Sequence, residues 1–146
     1  MKIHPYLNFG DKTEEAFRFY EKALGGKLTE IHRFGSMPQQ GDFALTPEQK
    51  ALVLHVGLEL PDGQMIMASD MIEGMGPTRV VGNNFSLSVH PDSKQEADRI
   101  FNALAQGGTI TMPIADQFWG DYFGGLTDRF GINWMVSYSA PATRPQ

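Results

Sequence analysis

Two stretches of the chain place apolar residues on one face of a 3.6-residue turn. Ala16, Phe19, Tyr20 and Ala23 stand at i, i+3, i+4 and i+7, and Ala97, Ile100, Phe101 and Leu104 repeat that spacing. The pattern predicts two amphipathic helices. Asp11 or Thr13 can cap the first, and Gly25-Gly26 can end it in the left-handed conformation that a β-carbon disfavours. Ser93-x-x-Glu96 is a capping-box pattern at the start of the second, and Gly107-Gly108 closes it.

Strand-like runs surround these helices. Ile3 to Phe9 leads into the first, and Lys27 to Phe34 follows it with partial alternation. Leu52 to Leu60 is alternating or apolar throughout, Pro61-Asp62-Gly63 turns the chain, and Gln64 to Ala68 returns as a hairpin partner. In the second half, Phe85 to His90 precedes the helix, Thr109 to Met112 follows it, and runs near Asp121 to Leu126 and Ile132 to Tyr138 complete the set. Each half reads as β-α-β-β-β. Residues 35–50 and 71–82 read as loops, the latter as a connector between a module at 1–70 and a module at 83–139. Residues 140–146 read as a tail.

The halves also share words. Asp11-Lys-Thr-Glu-Glu15-Ala16-Phe-Arg18-Phe19-Tyr20 recurs as Asp92-Ser-Lys-Gln-Glu96-Ala97-Asp-Arg99-Ile100-Phe101, with Asp, Glu, Ala and Arg matching at a constant offset. With one residue of slippage, Gly25-Gly26-Lys-Leu28-Thr29 returns as Gly107-Gly108-Thr-Ile110-Thr111. Two copies of so long a unit do not make a solenoid. They predict a fused pair of α+β modules, and ligand sites commonly form where such modules meet.

Composition narrows the function classes. At 146 residues the chain suits one compact domain burying about 68–70% of its unfolded surface. The 12 basic and 17 acidic residues give a net charge of −5 with no basic patch, which argues against nucleic acid and anionic membranes as partners. The absence of cysteine excludes disulfides, a thiol nucleophile and thiolate metal sites, and fits a reducing compartment. No signal-peptide core and no run of 18 apolar residues is present, so a cytoplasmic location is expected. The motifs H-E-x-x-H, G-x-S-x-G, G-x-G-x-x-G and the phosphate-binding loop are missing from the sequence.

The words HPYLNFGD and EEAFRFYEKALGG near the start, FGSMP at 34–38, LHVGLELPDGQMIMASD at 54–70 and QFWGDYFGGLTDRFGINWMVS at 117–137 resemble the PhnB-like branch of the vicinal oxygen chelate superfamily of glyoxalases, extradiol dioxygenases and bleomycin-resistance proteins. Some members of this branch carry a methyltransferase label. The resemblance spans essentially the whole chain and implies an α+β glyoxalase/bleomycin-resistance-like fold, with each module's mixed sheet curled into a half-barrel. It also implies a homodimer enclosing cavities, and a divalent metal held by His, Gln or Glu on the first and last strands of each module. Mapped onto this chain, the four metal slots fall near His4, on Met67, on Phe85 or Ser86, and on Met135. Thioethers and a phenyl ring do not replace the nitrogen and oxygen donors such a cation needs. His4 is then the one plausible ligand at an expected slot, and no cofactor is expected.

The leading expectation is a metal-free cavity that binds a small, partly apolar or aromatic molecule, lined by Met67, Phe85 and Met135 with His55, Asp70 and Trp119 as polar or stacking contacts. One alternative is a divalent-metal-dependent glyoxalase-type lyase, isomerase or dioxygenase, and another is a scaffold-like dimer with a closed cavity. His55 and Asp70 read either as a base with its orienting carboxylate or as a buried imidazole bonded elsewhere. Phe118 to Phe123, the densest aromatic stretch, reads as ligand wall, core or subunit contact. His32 and His90 read as structural or surface residues, and Asp128 before Gly131 as a turn former.

Overall fold

In the computed structural model, residues 1–38 and 44–140 are described. The chain divides into two compact units, Met1–Val80 and a second beginning at Val81, so the division falls inside the expected connector. Within the first unit, strand β1 (Tyr6–Phe9) leads into helix α1 (Thr13–Leu24). The short strands β2 (Lys27–Leu28) and β3 (His32–Arg33), the short helix α2 (Pro47–Ala51), β4 (Val53–Glu59) and β5 (Met65–Asp70) follow. The sheet order is β1-β5-β4-β2, with β3 also on β4. β1 runs parallel to β5, and the other pairs are antiparallel.

The second unit repeats this topology with β6 (Leu87–Val89), α3 (Lys94–Ala105), β7 (Thr109–Asp116), β8 (Tyr122–Thr127) and β9 (Asn133–Tyr138), in the order β6-β9-β8-β7. β6 is parallel to β9. In each unit the first strand therefore lies beside the last, as the β-α-β-β-β reading requires, and neither sheet closes on itself.

Each helix buries its apolar stripe against one face of its own sheet. α1 buries Ala16, Phe17, Tyr20 and Ala23 alongside Leu7, Phe9, Val56, Leu58, Ile66 and Ala68. Phe9 and Phe17 meet edge-to-face at 6.4 Å. Phe17 thus takes the buried place expected of Phe19, which is half-exposed. α3 buries all four expected residues, Ala97, Ile100, Phe101 and Leu104, and the core of that unit also contains Leu126, Trp134 and Val136.

The close packing of helix end and sheet explains the repeated Gly-Gly pairs. Gly25 and Gly107 have φ of 78° and 75°. Gly26 and Gly108 are needed for a different reason. A β-carbon on Gly26 would come 2.6 Å from the Glu59 carbonyl oxygen, and one on Gly108 would collide with that of Thr127.

Several local expectations are corrected. Neither Asp11 nor Thr13 caps α1 with its side chain; the cap is Asp70, described below. Ser93 does accept from the Glu96 backbone N–H at 3.0 Å, but the Glu96 carboxylate turns to Arg99 at 2.8 Å instead of completing the box. The 27–34 strand is broken into β2 and β3. The loop expected at 35–50 contains α2, capped by Thr46 in a full capping box with Gln49 and with Pro47 at its start. β7 continues through Pro113 to Asp116 because it is an edge strand, where a missing N–H costs no ladder bond. The tail beyond residue 140 lies outside the described residues. No helix among the described residues is long and apolar enough to cross a membrane.

Candidate functional site

Alternation along each strand gives every sheet a face under its helix and a face turned away from it. In the first unit, Leu7, Phe9, Ile66, Ala68 and Asp70 are buried, while Tyr6, Asn8, Met65, Met67 and Ser69 take the alternate positions and are half-buried or exposed. The register sets Met67 beside Tyr6 on one side and beside Gly57 on the other. Gly57 lets its neighbours close over the backbone, since a β-carbon there would lie 3.1 Å from the Met65 Sδ and 3.3 Å from Thr29. His55 shares this open face. Its Nδ1 is 3.2 Å from the Tyr6 hydroxyl, and the two rings lie 5.7 Å apart.

The second unit builds the same arrangement. Met135 lies beside Ser88 and opposite Gly125, and is 38% exposed. The Ser88 hydroxyl and the His90 Nε2 are 2.9 Å apart. On both open faces a last-strand methionine thus stands opposite a glycine and beside a first-strand hydroxyl that is hydrogen-bonded to an imidazole. Phe123 shares the face with Gly125 through its pairing with Ser137. Its ring is 5.9 Å from Trp119. Trp119 is fixed by an indole N–H donated to Asp121 at 2.9 Å and remains 49% exposed, while Phe118 stands almost fully in solvent. Phe118, Trp119 and Phe123 are therefore surface and face lining, whereas Tyr122 turns to the helix side.

Asp70 belongs to the other face. It is buried, with Oδ1 accepting from the Thr13 N–H at 3.0 Å and Oδ2 from the Val53 N–H at 2.9 Å. The parallel pairing of Phe9 with Asp70 carries this carboxylate to the point where β1 turns into α1. Of the two readings of His55, the pair with Asp70 is not formed, because the two residues sit on opposite faces and Tyr6 partners the imidazole. Asp128 makes the turn foreseen for it, accepting from the N–H groups of Phe130 and Ile132, and its other oxygen accepts from the buried Trp134 indole at 2.8 Å.

Phe85 lies before β6 and is 59% exposed, so it does not occupy a strand position beside Met135; Ser88 does. His4 likewise precedes β1. Sequence reasoning missed Tyr6, Ser88 and His90 because their partnership comes from strand register, which a local pattern does not display. Spacing from Gly63 and Gly131, by contrast, located Met67 and Met135 on their strands.

The side chains at these first-strand and last-strand positions are Tyr6, Met67, Ser88 and Met135. A hard divalent cation is held by carboxylate, imidazole and carbonyl donors. Two thioethers, a phenol and an aliphatic hydroxyl do not fit it. Among the described residues no group of three or more His, Asp or Glu is placed to hold a metal ion.

Several charged groups pair on the helix side. Arg33 and Arg18 both hydrogen-bond to Glu14, at 2.8 and 2.9 Å, and hold its carboxyl below the usual range. Tyr122 donates a short hydrogen bond to Asp98 of α3, and this bond raises the phenol to about 12. Lys94 lies 4.6 Å over the same ring and pairs with Asp116 at 3.2 Å.

Comparison with known proteins agrees with this architecture. The family model described as 3-demethylubiquinone-9 3-methyltransferase matches residues 1–137. Protein YjdN of Escherichia coli K12 is 29% identical over 145 residues, covering 94% of this chain and 95% of its own. The crystal structure of PA1353 from Pseudomonas aeruginosa superposes with a TM-score of 0.80 at 38% identity, covering 95% of this chain and 98% of that one. A PhnB protein from Bacillus cereus, described with the same methyltransferase wording, gives 0.73 at 28% identity, covering 95% and 100%. A glyoxylase/bleomycin resistance protein/dioxygenase domain from Frankia sp. EAN1pec shares the fold with a TM-score of 0.65 at 17% identity, covering 98% and 94%. The chain belongs to the 3-demethylubiquinone-9 3-methyltransferase family.

Proposed function

We propose that this protein binds and sequesters a small, partly apolar or aromatic molecule on its open sheet faces, without the chelated divalent cation of glyoxalase-type chemistry. The observation that carries this reading is the thioether at the same register position of both units, Met67 and Met135, each facing a glycine. Methionine adapts to ligand shape and makes favourable contacts with aromatic rings. The adjacent Tyr6–His55 and Ser88–His90 pairs supply directional hydrogen bonds, and Trp119 with Phe123 supplies a stacking wall. A second copy of the chain is the partner proposed for the exposed apolar side chains of the second unit, Ile110, Met112 and Phe118 among them.

A lyase, isomerase or dioxygenase of the metal-dependent kind would need donors that Tyr6, Met67, Ser88 and Met135 do not offer. Methyl transfer would need a seat for a nucleoside-like methyl donor. The two strand-to-helix turns, Gly10-Asp11-Lys12 and His90-Pro91-Asp92-Ser93, are not the glycine-rich loops that usually provide one.

Methyl-¹³C-methionine labelling tests the reading directly. Titration with a panel of neutral aromatic compounds is expected to shift the Met67 or Met135 methyl signal, and Met67→Ala or Met135→Ala is expected to weaken binding of the responding compound about tenfold, the loss of one well-packed side-chain contact. Shifts confined to Met1 and Met37, or none across the panel, would contradict it.

A further inference from the structure

We infer that His32 and His55 form a two-imidazole site for a borderline transition-metal cation, Cu²⁺ foremost, on the open face of the first unit and without using its methionines. The two residues are direct partners on the antiparallel strands β3 and β4. Such partners carry their side chains on the same face with β-carbons about 5 Å apart. A register irregularity follows immediately, because Arg33 pairs with Val53 and not with Leu54. This bulge re-aims the neighbouring side chain. Arg33 reaches the helix side, where it pairs with Glu14 of α1 at 2.8 Å, and Val53 is buried. His32, the residue before it in the strand, is left on the open face with His55. His32 is exposed and His55 half-exposed, so an ion has access to both.

The hydrogen bond between Tyr6 and His55 bears on the same chemistry. With the proton on Nδ1, the imidazole donates to the phenol oxygen 3.2 Å away and presents the Nε2 lone pair to an ion. An oriented imidazole is how proteins fix a metal-binding tautomer. Two neutral imidazoles with solvent filling the remaining positions suit copper, which stands at the top of the divalent affinity order for nitrogen donors. Hard cations gain little from them. The site shares Tyr6 and His55 with the proposed ligand face, but its test reads copper alone, so failure of one is distinguishable from failure of the other.

The test is a Cu²⁺ titration of metal-free protein followed by visible absorption and electron paramagnetic resonance. His4 is a further imidazole that precedes β1, so the titration is run in the His4→Ala background. One ion per chain with a two-imidazole nitrogen signature is expected. His32→Gln and His55→Gln should each weaken binding at least about tenfold, and Tyr6→Phe about tenfold with unchanged stoichiometry, in line with the effect of outer-shell partners. Circular dichroism checks that each variant is folded. A folded His32→Gln or His55→Gln variant with unchanged affinity overturns the site, as does a one-nitrogen signature, which marks an adventitious ion only.

Discussion

Asp70 shows how much one side chain can settle. Its two carboxylate oxygens satisfy the first free N–H of α1 and the first N–H of β4, groups well separated along the first unit's chain. A buried carboxylate acting as a helix cap from 57 residues away does by tertiary contact what Ser93 does locally for α3. Asp70→Ala leaves two buried N–H groups unpaired, and the expected cost is about 2–3 kcal/mol. For a chain of this size that lowers the melting temperature by roughly 5–10 °C. Thermal denaturation checks it, and copper or ligand binding by the still-folded variant should be unchanged, because Asp70 lies under the helix and not on the open face. If the variant melted like the wild type while losing ligand, the carboxylate would belong to the site after all.

At the scale of elements, the helices are held to their sheets by different means. α1 is anchored by Asp70 and by the ion pair of Glu14 with Arg33 of β3, α3 by the bond from Tyr122 of β8 to Asp98. That bond holds the phenol protonated to about 12 in the folded state, above its ordinary value of 10. A raised folded value means that the contribution is complete below pH 10 and is lost as pH rises from 10 toward 12. Denaturant titrations over that interval should show stability falling with pH, and Tyr122→Phe should flatten the fall. An equal slope in the variant would place the alkaline sensitivity elsewhere.

The elements also show what local sequence carries. All four buried residues of α3 were legible because its apolar period is unambiguous. In α1, Ala16, Tyr20 and Ala23 are buried as read, but Phe19 was read in the place of Phe17, since the two compete for the stripe and packing against Phe9 favours Phe17. α2 has a full capping box but buries none of its residues, so periodicity could not reveal it. The pairs Tyr6–His55, His32–His55 and Thr13–Asp70 depend on strand order and bulge position, and no local pattern encodes those.

On the scale of the whole molecule, the duplicated sequence has become a duplicated topology, and the duplication extends to chemistry. Each unit sets its first strand beside its last, opposes a methionine with a glycine there, and adds a hydroxyl–imidazole pair nearby. The fold was legible from the repeat and from the family words. The chemistry was legible only where a strand position could be counted from a glycine, as for Met67 and Met135. The shared fold accounts for the scaffold, and the thioethers at both register positions are what the proposed absence of a chelated divalent cation rests on.

The most direct measurement is Mn²⁺ binding by tag-free protein, followed by the loss of the free-ion paramagnetic resonance signal and by elemental analysis. Mn²⁺ is a hard cation that two imidazoles hold poorly, so it reports on the first- and last-strand positions without confusion from the His32–His55 site. The account predicts no manganese above background at stoichiometric concentrations. Close to one tightly held ion per chain would contradict it and make a metal-dependent enzyme the better description of this protein.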